Sequence, residues 1–160
     1  MSATPPTLAL WNRLQQKPAG SWLFTLGVCR KAPYFSSIKP RVSELDTGRC
    51  VVRSRLRRAV TNHIGTFHAI AMCNMAELAG GLAAEATVPT THRWIPKGMT
   101  VEYLAKAETD LTATCQLVIP DQWEDRFSLL TPVEVTDTGG TVVFRAEITM
   151  YVSRKPARDR

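Results

Sequence analysis

The chain has 160 residues, enough to bury a sizeable core as one domain. With 44% hydrophobic and 21% charged residues, it excludes a disordered or fibrous protein. The formal net charge of +6 is localised: the last seven residues, Arg154 to Arg160, hold four basic groups and one acid. Much of the rest lies in Arg49, Arg53, Arg55, Arg57 and Arg58, with no interleaved aromatics to stack on bases, so no nucleic-acid partner is expected.

Residues 1–10 lack the basic start and apolar core of a secretory signal, and none is expected. Over residues 7–16, Leu8, Trp11 and Leu14 share one helical face, with Thr7 as its cap. Pro18 opens a second short helix through Trp22, Phe24, Leu26 and Val28, which ends before Arg30 to Pro33. The two form an N-terminal helical extension over 1–36. From Ser37 the period becomes two. Ile38 to Leu45 is expected as a strand, Asp46-Thr47-Gly48 as a turn, and Cys50 to Leu56 as a strand with Arg53, Arg55 and Arg57 on its polar face.

Thr66 to Ala86 reads TFHAIAMCNMAELAGGLAAEA, small and apolar nearly all round. That composition predicts a central helix buried on most sides. A membrane span is excluded by His68, Asn74, Glu77 and Glu85 within it. Four strands follow: Gly98 to Leu104, Asp110 to Ile119, Ser128 to Thr136 and Thr141 to Val152, the last two joined by the hairpin signal Asp137-Thr138-Gly139-Gly140. This order predicts an α+β fold, a curved antiparallel sheet wrapped around one long helix over 37–153, followed by a basic tail over 154–160.

Cysteines stand at 29, 50, 73 and 115, with no C-x-x-C. Cys73 and Cys115 fall in apolar stretches and are expected as core residues in a reducing, cytoplasmic setting. His63, His68 and His92 have no metal-ligand spacing, and no Gly-rich phosphate loop is present, so neither metal nor cofactor is expected. His68 and Cys73, five apart, share no helical face for a nucleophile–base pair.

Two features carry chemistry. Glu77 lies among Met72, Cys73, Met75, Ala76, Leu78 and Ala79, where a carboxylate is costly unless it has a partner or a purpose. It is either a functional group or the mate of an Arg or Lys across a subunit interface. Its same-face neighbours include Gly80 and Gly81, which leave a groove open. The second feature is the helix start, Asn62-His63-Ile64-Gly65-Thr66-Phe67-His68-Ala69. Unpaired backbone N–H groups there suit an oxyanion, unless Asn62 or Thr66 only caps the helix.

The run N-H-I-G-T-F-H-A-I, with Glu77 at the ninth position after His68, resembles the signature of hotdog-fold acyl-CoA thioesterases. It is most similar to the phenylacetyl-CoA and hydroxybenzoyl-CoA branch, where N-x-x-G-x-x-H-G-G precedes an Asp or Glu at this spacing. Ala69-Ile70 stands where that branch has Gly-Gly, and Gly81 where a Ser or Thr often follows the carboxylate. The resemblance implies thioester hydrolysis of an acyl-CoA or acyl-carrier substrate, with Glu77 as nucleophile or general base. It further implies that the Ala69 N–H holds the oxyanion while Asn62 and His68 orient the thioester or water. Gly65, Ile70 and Gly81 would line the substrate groove, with Arg93, Lys97 and Lys106 near the coenzyme A phosphates. Eight residues separate Ala69 from Glu77, about 12 Å along one helix, so a site using both draws on two subunits. A homodimer or a tetramer is therefore expected. The alternative is a non-catalytic hotdog module that binds acyl-CoA, which Ala69-Ile70 favours.

Overall fold

A computed structural model describes residues 4–156. Its organising element is a long helix whose alanines and glycines let it lie deep in a curved sheet. In chain order the elements are α1 (Pro6–Leu14), α2 (Gly20–Lys31), a 3-10 turn (Pro33–Ile38), β1 (Arg41–Asp46), β2 (Arg49–Ser54) and the central α3 (Ala69–Thr87). Then follow β3 (His92–Tyr103), β4 (Leu111–Gln116), β5 (Phe127–Thr136) and β6 (Val142–Arg154). The six strands form one sheet in the order β1-β2-β4-β5-β6-β3, antiparallel throughout. This is the hotdog arrangement the sequence leads one to expect.

Period-two burial is clearest in β5, where Leu129, Thr131, Val133 and Val135 point inward and Leu130, Pro132 and Glu134 outward. Pro132 is tolerated in an inner strand because β4 pairs with β5 only as far as Cys115 opposite Val133. The β5–β6 hairpin is held by Asp137, whose Oδ1 accepts from the N–H groups of Gly139 and Thr141.

The N-terminal helices pack into the same core through Leu8, Trp11 and Phe24. Trp11 and Phe24 meet edge to face, with centroids 5.1 Å apart. On α2 the Thr25 hydroxyl accepts from the Val42 N–H at 3.0 Å, and the Ser21 hydroxyl donates to the Val42 carbonyl, fixing the helix to the edge strand β1.

Several boundaries differ from expectation. Pro18 lies in the turn before α2 rather than at its start. The strand expected from Ile38 begins at Arg41, because Lys39 takes a left-handed conformation (φ 43°) and Pro40 has no N–H to donate. Strand β3 begins six residues earlier than Gly98, bulging between Pro96 and Gly98. Of the basic tail, Arg154 ends β6, and residues 157–160 lie outside the described part.

The main correction concerns Glu77 on α3. The helix is buried on most sides, as expected, but the carboxylate is not. Leu78, Asn74, Met75, Ala79 and Leu82 are buried, but Ile70 and Glu77 are exposed and Cys73, Gly81 and Glu85 half-buried, forming one open stripe. Nor is Cys73 a core residue, whereas Cys115 is. No helix among the described residues is long and apolar enough to cross a membrane.

Because Leu78 is only 1% exposed, Leu78→Asp places an unpaired charge in the core. The cost is several kcal/mol, comparable to a typical domain stability of about 5–15 kcal/mol. The variant is expected to lose its cooperative thermal transition by circular dichroism, while Glu77→Gln, one residue away, melts like the wild type. A cooperatively folded Leu78→Asp would show that this face of α3 is misassigned.

Candidate active site

The start of α3 is fixed from three directions. The Phe67 N–H donates to the Ala107 carbonyl and the His68 N–H to the Val60 carbonyl, each at 2.8 Å. Before them, Asn62 ties its own loop: Oδ1 accepts from the Ile64 and Thr66 N–H groups, and Nδ2 donates to Thr66 Oγ1 at 2.8 Å. Gly65 has φ of 82°, the left-handed conformation this turn needs. The Asn62 amide is thus engaged in shaping the loop through its oxygen and one N–H, and Gly65 serves the turn.

The cap is neither Asn62 nor Thr66. His68 is the N-cap, with Nδ1 accepting from the Ile70 N–H at 3.1 Å. As an acceptor that nitrogen carries no proton, so Nε2 carries the ring N–H. The Ala69 N–H, at the first helical position, has no acceptor among the described residues. It has the unpaired donor character that an oxyanion needs.

Glu77 lies two turns further along the open stripe. It makes no hydrogen bond or ion pair among the described residues, so its carboxylate is free to act. It opens onto a largely apolar cleft of about 390 Å³ between α3, α2 and the start of β3. Leu78 and Gly81 of α3, Val28 of α2, Phe35 of the 3-10 turn and Trp94 of β3 form its walls. Lys31, at the end of α2, lines it too. Arg93, Lys97 and Lys106 are exposed but do not line this cleft within one chain, and Arg93 instead donates to Ser153 Oγ at 3.2 Å.

Sequence reasoning missed Lys31, Trp94 and Tyr103. Tyr103, on β3, lies 3.5 Å from Cys73 Sγ on the open stripe. That hydrogen bond pushes the Tyr103 phenol above its ordinary value, with burial adding to it. The thiols of Cys50 and Cys115, paired across β2 and β4, are inert: burial holds Cys50 well above the usual range and pushes Cys115 up to about 12.

The model of the family described as "Domain of unknown function (DUF4442)" matches residues 20–152. The chain belongs to this family. This DUF4442 protein is 46% identical to a structural-genomics protein solved by crystallography, over 93% of this chain and 99% of that one, with a TM-score of 0.80. A protein of unknown function from Pseudomonas aeruginosa, described as a probable thioesterase, is 23% identical over 79% and 91% of the two chains, with a TM-score of 0.73. A thioesterase family protein from Silicibacter pomeroyi is 18% identical over 81% and 95%, with a TM-score of 0.69. The last two share its fold. No curated protein sequence matches the chain.

His68→Ala removes the cap acceptor and is expected to cost about 1 kcal/mol, lowering the melting temperature by about 2–4 °C. His68→Asn restores an acceptor and should recover most of that loss. An unchanged melting temperature in His68→Ala would mean the cap carries no stability.

Proposed function

We propose that this DUF4442 protein hydrolyses acyl thioesters of coenzyme A or of an acyl carrier, with Glu77 as general base. The observation that carries this reading is an unpaired carboxylate opening onto an apolar cleft of about 390 Å³, within the usual size range of small-molecule sites. Glu77 takes a proton from water as the oxygen attacks the thioester carbon. The developing oxyanion accepts the Ala69 N–H at a helix N-terminus. As the tetrahedral centre collapses, the C–S bond breaks and the departing thiolate takes up the proton. The ring N–H of His68, the residue preceding this donor, orients water or the acyl group.

Within one chain Ala69 and Glu77 lie about 12 Å apart along α3, so the site is assembled from two copies. The surface available for that pairing is β3. It is an edge strand of 12 residues that pairs only with β6, and Ile95, Met99 and Tyr103 are exposed on it. A long, uncovered edge with apolar side chains is a template for a second strand. Joining two β3 edges continues the sheet and brings two α3 helices side by side in opposite directions, Ala69 of one copy toward Glu77 of the other.

A second reading, a non-catalytic module that binds acyl-CoA, is favoured by one observation. Ile70 stands 54% exposed beside the donor N–H, where a bulky side chain narrows the approach.

Hydrolysis is followed by thiol release from a panel of acyl-CoAs. Glu77→Gln is expected to lower kcat by about 10²–10⁴, the usual worth of general-base catalysis, at an unchanged melting temperature. A Glu77→Gln protein as fast as wild type would remove Glu77 from the chemistry. Binding of acyl-CoA by a wild type that turns over none of them selects the second reading.

A further inference from the structure

The cleft beside Glu77 ends at a hydrogen-bonded pair. The Trp94 indole N–H donates to Glu85 Oε2 at 2.9 Å, and the Thr7 hydroxyl donates to Glu85 Oε1 at 3.3 Å. Each carboxylate oxygen therefore has a donor, one from β3 and one from the first turn of α1. Behind the pair lies a second cleft of about 380 Å³, bounded by Pro5 and Pro6 at the start of α1 and by His92 and Arg93 at the start of β3. Glu85 and Trp94 line both clefts. Gly81 makes this possible: a Cβ there would lie 3.3 Å from Trp94 Cη2, so its absence lets the indole lie across the helix.

We infer that the Trp94–Glu85 pair, held from the N-terminal extension by Thr7, is a partition that sets the length of the acyl chain the protein accepts. This rests on the acyl-thioester reading above and specifies its substrate class. Glu77 and Glu85 are eight residues apart on α3, about 12 Å along the axis. An extended chain advances about 1.2 Å per bond, so roughly ten carbons fit between the carboxylate at the mouth and the partition. Val28, Phe35, Leu82 and Met150 make the lining largely apolar, which suits an apolar chain. The substrate class is an apolar, medium-length acyl group. Removing the indole opens the first cleft toward the second and lengthens the space available.

The test measures, by calorimetry, the affinity of non-hydrolysable thioether analogues of acyl-CoA in steps from about four to about sixteen carbons. In the wild type, affinity is expected to rise roughly threefold to fourfold per added methylene and to level off near ten carbons. Trp94→Ala, or the milder Trp94→Leu should the first not fold, moves that plateau to longer chains. Gly81→Ala crowds the indole from the other side and moves it to shorter ones. Plateaus at one common length in all the variants overturn the partition. Turnover of the matching acyl-CoAs is read in parallel. Shifted plateaus without hydrolysis at any length overturn the hydrolytic reading and leave the partition standing; hydrolysis with coincident plateaus does the reverse. An absence of binding at every length overturns both.

Discussion

At Gly80 the helix α3 approaches the sheet so closely that a Cβ would come within 3.0 Å of Ile148 Cδ1 and 3.1 Å of Thr131 Cγ2. That contact fixes the helix in rotation as well as in depth. Once Ala76, Ala79, Gly80 and Ala83 are buried, the 3.6-residue period brings Ile70, Cys73, Glu77 and Gly81 out along the flank of that seam rather than into it. The carboxylate is therefore presented outward without a partner, and one helix supplies a buried seam and an open stripe together. Large side chains on the seam would lift the helix and release the register on which the cleft depends.

The N-terminal extension completes what the sheet and central helix leave open. Val28 and Lys31 of α2 and Phe35 of the 3-10 turn wall the cleft beside Glu77, and Thr7 of α1 holds Glu85. These residues lie 34 or more positions before α3 in the chain, yet Leu8, Trp11 and Phe24 anchor them in the common core. The extension is thus both a packing element and part of the candidate site.

Much of this was legible in the sequence wherever a local period decided it. The alternation of β5 and β6, the turn at Asp137 and the long small-residue helix all stand where the residues predict. Errors arose where the deciding interaction is long-range. A stretch that is apolar nearly all round makes Glu77 look buried, but alanine and glycine are compatible with either side, and only the sheet's position assigns Glu77 to the surface. The loop Asn62–Thr66 contains the right residue types for a site, yet the amide of Asn62 is taken up by its own turn, and the cap falls to His68. Strand β3 extends further than its sequence pattern suggests, because Pro96 and the bulge after it break the alternation. Trp94 and Lys31 carried no signal at all, since nothing near them in sequence marks a cleft.

In the proposed reaction, Ala69 of one copy and Glu77 of another act on the same thioester. His68 has ψ of 137°, a conformation compatible with a following proline, and Ala69 occupies the first helical position, so Ala69→Pro deletes the donor N–H without breaking the helix. Glu77→Ala deletes the carboxylate. Each variant alone should be inactive. In a heterodimer of the two, one site carries both defects and the other carries neither. An equal mixture, unfolded and refolded so that subunits pair at random in a two-fold dimer, is predicted to regain about a quarter of wild-type thioester hydrolysis. A mixture as inactive as its parents, with heterodimers confirmed by native mass spectrometry, would contradict the shared site.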